Sequence, residues 1–190
     1  DSKYCNIEKA QEDGKIEILR KDMYLDFCDA DLNNGLQGFY EEISNIDLGE
    51  KDLSVVYTPL NGAGLFCAEE IFRRLKLNKV SLVESQLKPD GDFPTCSYPN
   101  PEMKEALEEG LKLAREKDAD ILVATDPDAD RMGVAIKEAG DYRILTGNEI
   151  GMVMLDYLLS MHEKHGADTS KKMVDTSLVS SPIIEDMARD

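Results

Sequence analysis

From residue 53 onward, short runs of apolar residues alternate along the chain with segments in which apolar residues recur every three or four positions. Short apolar runs at residues 53–57, 80–83 and 119–125 are typical of strands buried in a sheet. Between them, apolar positions recur every three or four residues over residues 65–76 and again after Pro101, and this spacing predicts helices. We expect Asn100 to cap the second helix, with Pro101 at its first position. The predicted buried face of that helix consists of Met103, Ala106, Leu107, Leu111 and Ala114.

Two further apolar runs, at residues 132–136 and 142–146, flank a short polar turn around Gly140 and predict a β-hairpin. Strands that alternate with helices form parallel sheets with right-handed crossovers, and the hairpin adds an antiparallel edge. The predicted fold class is therefore α/β. We expect a three-layer α/β/α domain with a mixed, mostly parallel sheet, followed by the truncated start of a second, similar domain.

The pattern divides the chain into three segments. Residues 1–50 form an N-terminal connector that is partly helical, with a helix expected over residues 36–46. Residues 51–146 form the main domain, and residues 147–190 begin another. In this last segment Asn148 is expected to cap a helix that ends near Gly166, before a strand at 173–179 and a helix from Pro182. A single unit of one strand and its neighbouring helices cannot bury its own apolar faces. We therefore expect the chain to be part of a longer protein.

Composition narrows the classes of function. The net charge of −17 argues against binding to nucleic acids or to anionic membranes, since both need a basic surface. No run of about 18 apolar residues is present, which argues against a membrane span. We see no secretory leader, and the four scattered cysteines are interpreted as reduced thiols. The expected location is therefore cytoplasmic.

Three aspartates alternate directly after the third apolar run, in the sequence Asp126-Pro-Asp128-Ala-Asp130. Open α/β sheets place their ligand sites at the carboxyl ends of strands, and alternate residues of an extended loop point the same way. Three converging carboxylates repel one another unless a cation lies between them, and Mg²⁺ prefers such oxygen ligands. The other interpretation is a solvated acidic turn. An EF-hand does not fit, because Arg131 stands where its loop needs glycine and Lys137 where it needs glutamate.

Arg131 follows the three aspartates immediately. A guanidinium has no use in a calcium loop, but beside a cation site it can bind phosphate oxygens bidentately. Cation and arginine together therefore indicate phosphoryl chemistry, with a salt bridge between Arg131 and one of the aspartates as the structural alternative.

A glycine turn at residues 61–64 (NGAG) joins the first predicted strand to its helix. It lacks the third glycine of a dinucleotide-binding turn, because Cys67 occupies that place. We interpret it as a structural turn, and we expect the amino end of the helix that follows it to face the ligand-binding cleft. No phosphate-binding P-loop is present in the sequence.

Four ordered motifs connect these features: residues 57–64 (YTPLNGAG), 88–94 (KPDGDFP) with 99–102 (PNPE), 125–131 (TDPDADR) and 147–151 (GNEIG). They resemble the phosphohexomutase family of phosphoglucomutases, phosphomannomutases and related phosphosugar mutases. The resemblance covers about residues 51–189, and it implies the family's second domain over 51–146 and the beginning of its third domain over 147–190.

The resemblance implies a mechanism in which a phosphoserine of another domain exchanges its phosphoryl group with a hexose phosphate through a hexose bisphosphate. It also implies that Asp126, Asp128 and Asp130 hold Mg²⁺ and that Arg131 contacts phosphate. The implied partners are hexose phosphate, hexose bisphosphate and the other domains of the same parent chain.

Several family features are absent from the 190 residues. No serine is followed by His-Asn, as the phosphoserine motif requires, and the sugar-reading Gly-Glu-x-Ser loop is missing too. Many relatives carry histidine where Asn61 stands, so no role is transferred to Asn61. We therefore expect this chain alone to have no mutase activity, and the choice between glucose, mannose and other phosphosugars stays open.

Two other functions fit the three alternating aspartates. One is a haloacid-dehalogenase-type phosphotransferase, in which Asp126 would be phosphorylated, although Asp130 stands where that class usually has Thr or Val. The other is a non-catalytic cation-binding module.

Overall fold

The computed structural model describes residues 7–17, 52–164, 166, 172–177 and 180–189. The chain divides into two compact units, residues 1–47 and 48–190. In the first unit a short helix, α1, spans Ile7–Glu12. The helix predicted over residues 36–46 lies outside the described residues.

The second unit is built on a five-stranded sheet: β1 (Ser54–Thr58), β2 (Lys79–Leu82), β3 (Ile121–Thr125), β4 (Met132–Glu138) and β5 (Asp141–Leu145). The strand order is β2-β1-β3-β4-β5. β1 is parallel to β2 and β3, whereas β4 is antiparallel to both β3 and β5. The five predicted strands of the main domain and the mixed sheet are confirmed, with ends shifted by one or two residues.

Helices cover both faces of the sheet. Helix α2 spans Leu65–Arg74, and helix α3 spans Lys104–Lys117. Val56 belongs to the same buried cluster as Leu107 and Leu111 of α3. Its neighbour Tyr57 points to the opposite face, since successive strand residues alternate, and there its ring meets Phe72 of α2 edge-on, with 5.4 Å between centroids. The predicted three-layer α/β/α arrangement is thus confirmed.

One row of paired residues forms the centre of the core. The register places Val56 beside Leu122, Leu122 beside Ala135, and Ala135 beside Ile144. Val56, Leu122 and Ala135 are fully buried. Because these strands hold β3 in the middle of the sheet, the loop that follows β3 starts from a rigid base.

The predicted start of α3 is wrong. The Oδ1 atom of Asn100 accepts a hydrogen bond from the backbone N–H of Glu102 at 3.0 Å, and the N–H of Met103 donates to the Asn100 carbonyl. Asn100 therefore closes a turn, and the helix begins only at Lys104. Met103 is 45% exposed, so it does not belong to the buried face, whereas the other four predicted residues are buried.

The last segment departs further from the predictions. Helix α4 spans Gly147–Lys164 and α5 spans Ile183–Arg189. The helix predicted from Pro182 is confirmed, but residues 172–177 form no strand, contrary to the strand predicted over residues 173–179. Residues 178 and 179 of that strand lie outside the described residues. No helix in the described ranges has the length and apolar character needed to cross a bilayer.

The predicted cap of α4 is also wrong. Thr146 Oγ1 accepts from the N–H of Glu149 at 3.2 Å, and the Glu149 carboxylate accepts from the N–H of Thr146 at 2.7 Å. This reciprocal pair is a capping box with Thr146 as the N-cap, and the helix begins at Gly147. Asn148, the predicted cap, instead accepts a hydrogen bond from the N–H of Ser181 at 2.9 Å.

Candidate functional site

A tight loop joins β3 to β4 and carries the three aspartates. Its ends are paired, since the N–H of Asp126 donates to the carbonyl of Arg131 at 3.2 Å. Inside the loop, the N–H of Ala129 donates to the Asp126 carbonyl at 3.0 Å, and Ala129 has a left-handed φ of 60°. We call residues 126–131 the acidic loop. It lies at the carboxyl end of a central strand, as the sequence predicts.

The acidic loop brings the three predicted aspartates together. One carboxylate oxygen from each of Asp126, Asp128 and Asp130 lies within 4.8 Å of the others. Asp126 is fully buried, whereas Asp128 and Asp130 are exposed. Three converging carboxylates form a hard oxygen donor set, which suits Mg²⁺ better than a softer metal. The residues present therefore fit a divalent cation.

Arg131 lies against the first aspartate. Its backbone N–H donates to Asp126 Oδ1 at 3.0 Å, and its Nε donates to Asp126 Oδ2 at 2.8 Å. A longer ion pair joins Nε to Asp130 at 3.6 Å. The salt bridge that the sequence leaves as an alternative is therefore formed, but the Arg131 side chain remains 55% exposed. It can thus be oriented by Asp126 and still meet a ligand.

The charges of the acidic loop are unevenly distributed. Burial alone would raise the pKa of Asp126, but the hydrogen bonds from the backbone and side chain of Arg131 keep that pKa below its ordinary value. The hydrogen bond with Asp126, followed by the negative charge of Asp128, raises the pKa of Asp130. The bond to Asp126 also raises the pKa of Arg131. Asp126 and Arg131 thus form a fixed pair, and the uncompensated charge falls on Asp128 and Asp130, where a cation would relieve it.

An open pocket of about 460 Å³ lies beside the acidic loop. One wall consists of Asp126, Pro127, Asp128 and Arg131, and the other consists of residues 98–100. Tyr98, which is 68% exposed, belongs to that second wall. Sequence reasoning missed Tyr98 as a site residue, although the neighbouring PNPE motif contributes Pro99 and Asn100. The two walls together could hold a ligand against the carboxylates.

The glycine turn lies behind the acidic loop. The N–H of Ala63 donates to the Pro127 carbonyl at 2.8 Å. Asn61 is buried, and its Nδ2 donates to the carbonyls of Lys88 at 2.9 Å and Ser85 at 3.4 Å. The structural interpretation of the turn fits this geometry, and Asn61 gains a role that the sequence leaves open: it joins the turn to residues 85–88.

Residues 37–140 match the family model described as phosphoglucomutase/phosphomannomutase, alpha/beta/alpha domain II. Since that match covers more than half of the 190 residues, the chain belongs to the phosphoglucomutase/phosphomannomutase family. The resemblance that the motifs indicate is therefore confirmed.

Individual relatives agree with the family. A probable phosphomannomutase of Haemophilus influenzae is 38% identical over 140 residues, which are 73% of this chain and 28% of that protein. A phosphoglucomutase of Staphylococcus aureus is 36% identical over 141 residues, 74% of this chain and 25% of that protein. A phosphoribomutase of Saccharomyces cerevisiae is 35% identical over 203 aligned positions, 96% of this chain and 30% of that protein. The chain thus spans between a quarter and a third of the length of these relatives.

Proposed function

We propose that this chain is the cation-binding part of a phosphosugar mutase, comprising the family's second domain and the start of its third. In this proposal Asp126, Asp128 and Asp130 hold Mg²⁺, and Arg131 contacts phosphate. The convergence of the three carboxylate oxygens within 4.8 Å, at the carboxyl end of β3, is the observation that carries it. A phosphoserine in another part of the parent protein would exchange its phosphoryl group with the sugar phosphate, and this would occur in the cytoplasm.

The residues of the acidic loop have separate tasks in this reaction. Bound Mg²⁺ would supply positive charge to the phosphoryl group in transfer. Asp126 holds the Arg131 backbone N–H and Nε, and the half-exposed Arg131 side chain lines the pocket. Asp128 and Asp130 are exposed, and their carboxylates are available to the cation. The protein thus orients the donors before the substrate arrives, which is what phosphoryl transfer mainly requires.

The sequence favours this function over an aspartate-nucleophile phosphotransferase, in which Asp126 would attack phosphorus. Asp130 stands where that class usually has Thr or Val. Trapping a phosphorylated Asp126 would nevertheless reverse this choice, whereas phosphoserine in the intact parent supports the mutase.

The substrate class has two candidates. The family resemblance implies a hexose phosphate, with transfer between its C1 and C6 positions through a hexose bisphosphate. A pentose phosphate is the second candidate, because the match to a phosphoribomutase extends over 96% of this chain, against 73% and 74% for the two hexose-named relatives. Parallel assays of the parent protein with glucose 1-phosphate, mannose 1-phosphate and ribose 1-phosphate distinguish the two.

The Asp128→Asn substitution in the full-length parent tests the function. We expect its turnover of the preferred sugar phosphate to fall at least about 10- to 100-fold, since even the outer partners of metal ligands have effects of that size. Added Mg²⁺ should restore part of the loss. Asp156→Asn, an exposed change on α4, is the matched control and should leave turnover unchanged. Normal turnover in Asp128→Asn, or any turnover by the 190-residue chain alone, would contradict the proposal.

A further inference from the structure

The glycine turn touches the acidic loop at one backbone position. A Cβ atom at Gly62 would lie 2.2 Å from Pro127 Cα and 2.4 Å from the Pro127 carbonyl oxygen. Ordinary contacts begin near 3.4 Å, so any side chain at residue 62 would push Pro127 by about 1 Å. Next to it, the Ala63 N–H donates to the same carbonyl at 2.8 Å. Pro127 stands between Asp126 and Asp128, so its position sets the spacing of two of the three carboxylates.

The glycine turn is itself fixed by the conformation and hydrogen bonds of Asn61. Asn61 has a φ of 58°, a left-handed conformation that asparagine tolerates better than most residues. Its backbone N–H donates to the Gln86 carbonyl at 2.8 Å. Its side-chain amide donates to Lys88 and Ser85 and accepts from Thr95 at 3.3 Å. The Asn61 side chain is buried, and both its nitrogen and its oxygen are hydrogen-bonded. These bonds fix the turn where Gly62 contacts Pro127.

A second contact fixes the start of the acidic loop. The Tyr57 hydroxyl and Thr125 Oγ1 lie 2.9 Å apart in a hydrogen bond, one residue before Asp126. A Cβ atom at Gly64 would lie 2.5 Å from Thr125 Oγ1 and 2.8 Å from the Tyr57 hydroxyl. Two glycines of the same turn thus approach the acidic loop, one at its base and one beneath Pro127.

We propose that Asn61, Gly62 and Ala63 are positioning residues for the cation site. Gly62 provides the space that Pro127 occupies, Ala63 holds the Pro127 carbonyl, and Asn61 locks the turn to the carbonyls of residues 85–88. None of the three touches the cation. Their contribution is to hold Asp126 and Asp128 at the distance at which both can bind it. The proposal rests on the proposed function, since it takes the acidic loop as the cation site.

Two measurements on the 190-residue chain separate the proposal from the function on which it rests. Mn²⁺ replaces Mg²⁺ as a paramagnetic probe with the same preference for oxygen ligands, and its affinity is read from the broadening of amide NMR signals in residues 126–131. Amide hydrogen exchange at Ala63 and Arg131 reports the turn and the acidic loop without any metal.

The Gly62→Ala substitution is the main variant. We expect its Mn²⁺ affinity to fall about 10- to 100-fold, as for other groups that orient metal ligands, and exchange at Ala63 and Arg131 to accelerate while Leu122 in β3 stays protected. Gly91→Ala is the control, because a Cβ there would have nothing within 4 Å. It should match the wild type in both measurements. A folded Gly62→Ala chain with unchanged affinity and unchanged exchange would overturn the proposal.

Asn61→Gly keeps the test decisive if Gly62→Ala does not fold. Glycine adopts the left-handed conformation freely, so this change removes the side-chain bonds alone. We expect faster exchange at Ala63 and Arg131 and weaker Mn²⁺ binding, and unchanged exchange at both amides would overturn the proposal. If the wild-type chain shows no broadening in residues 126–131 at all, the cation site fails, and the exchange data still decide whether the turn positions the acidic loop.

Discussion

Asp126 and Asp128 are two residues apart in one motif, yet their surroundings differ completely. Asp126 is buried and both of its oxygens accept hydrogen bonds from Arg131, whereas Asp128 is exposed. The sequence predicts that the aspartates converge, because they alternate directly after a predicted buried strand. It treats them as equivalent, however, since the difference depends on which carboxylate turns under the loop toward the Arg131 backbone.

This difference predicts distinct titrations for the three carboxyl groups. In the metal-free chain we expect Asp126 to titrate below the ordinary aspartate range, because the Arg131 hydrogen bonds lower its pKa. Asp130 should titrate above that range, because its bond with Asp126 and the charge of Asp128 raise its pKa. Carboxyl carbon NMR across the acid range measures both. Mg²⁺ should lower the apparent pKa of Asp130, since cation and proton compete for it.

The same shifts predict how stability depends on pH. Asp126 has a folded pKa below its unfolded value, so its stabilising contribution is present above the ordinary aspartate range and is lost as the pH falls through the lowered pKa. Asp130 acts in the opposite direction, and its contribution declines as the pH rises through its raised pKa. Urea unfolding of Asp126→Asn should therefore show a weaker loss of stability in acid than the wild type. An identical acid dependence would contradict this assignment.

At the scale of elements, the sequence predicts the interiors of helices and strands better than their ends. The apolar spacing places β1 to β5, α2 and α3 within a few residues, because burial of those positions drives their formation. The predicted caps at Asn100 and Asn148 are both wrong, although both residue types favour that position. Asn100 is used by a turn before α3, and Asn148 accepts from Ser181, 33 residues away. A hydrogen bond to a partner so far along the chain cannot be predicted from the residues around Asn148.

The capping box of α4 gives a test at this scale. Thr146→Ala removes the Oγ1 acceptor for the Glu149 N–H, and we expect the free energy of unfolding to fall by about 1 kcal/mol, with faster amide exchange in the first turn of α4. Asn148→Ala is the matched change two residues on. It should leave that first turn protected and accelerate exchange at Ser181 instead. The reverse pattern would restore Asn148 as the cap.

At the scale of the molecule, the described part of residues 48–190 has its core in the first hundred residues of that unit. The buried cluster runs from Val56 to Ala135, with Tyr142 and Ile144 packed against it. No residue of α4 is buried, and Val153 and Met154 are more than half exposed. An apolar helix face left open in this way agrees with the prediction that residues 147–190 begin another domain. The boundary at residue 146 remains a prediction.

A chain ended at Thr146 tests that boundary. Because the buried cluster draws on no residue after Ile144 among those described, we expect residues 1–146 to unfold cooperatively and to keep Leu122 protected from amide exchange. Their Mn²⁺ binding at the acidic loop should equal that of the full 190 residues. Leu122→Ala in the full chain is the contrasting change, since it empties a fully buried site and should lower the free energy of unfolding by about 2–5 kcal/mol. Loss of cooperative unfolding in the shortened chain, measured by circular dichroism and urea, would show that residues 147–190 belong to the same folding unit as the sheet.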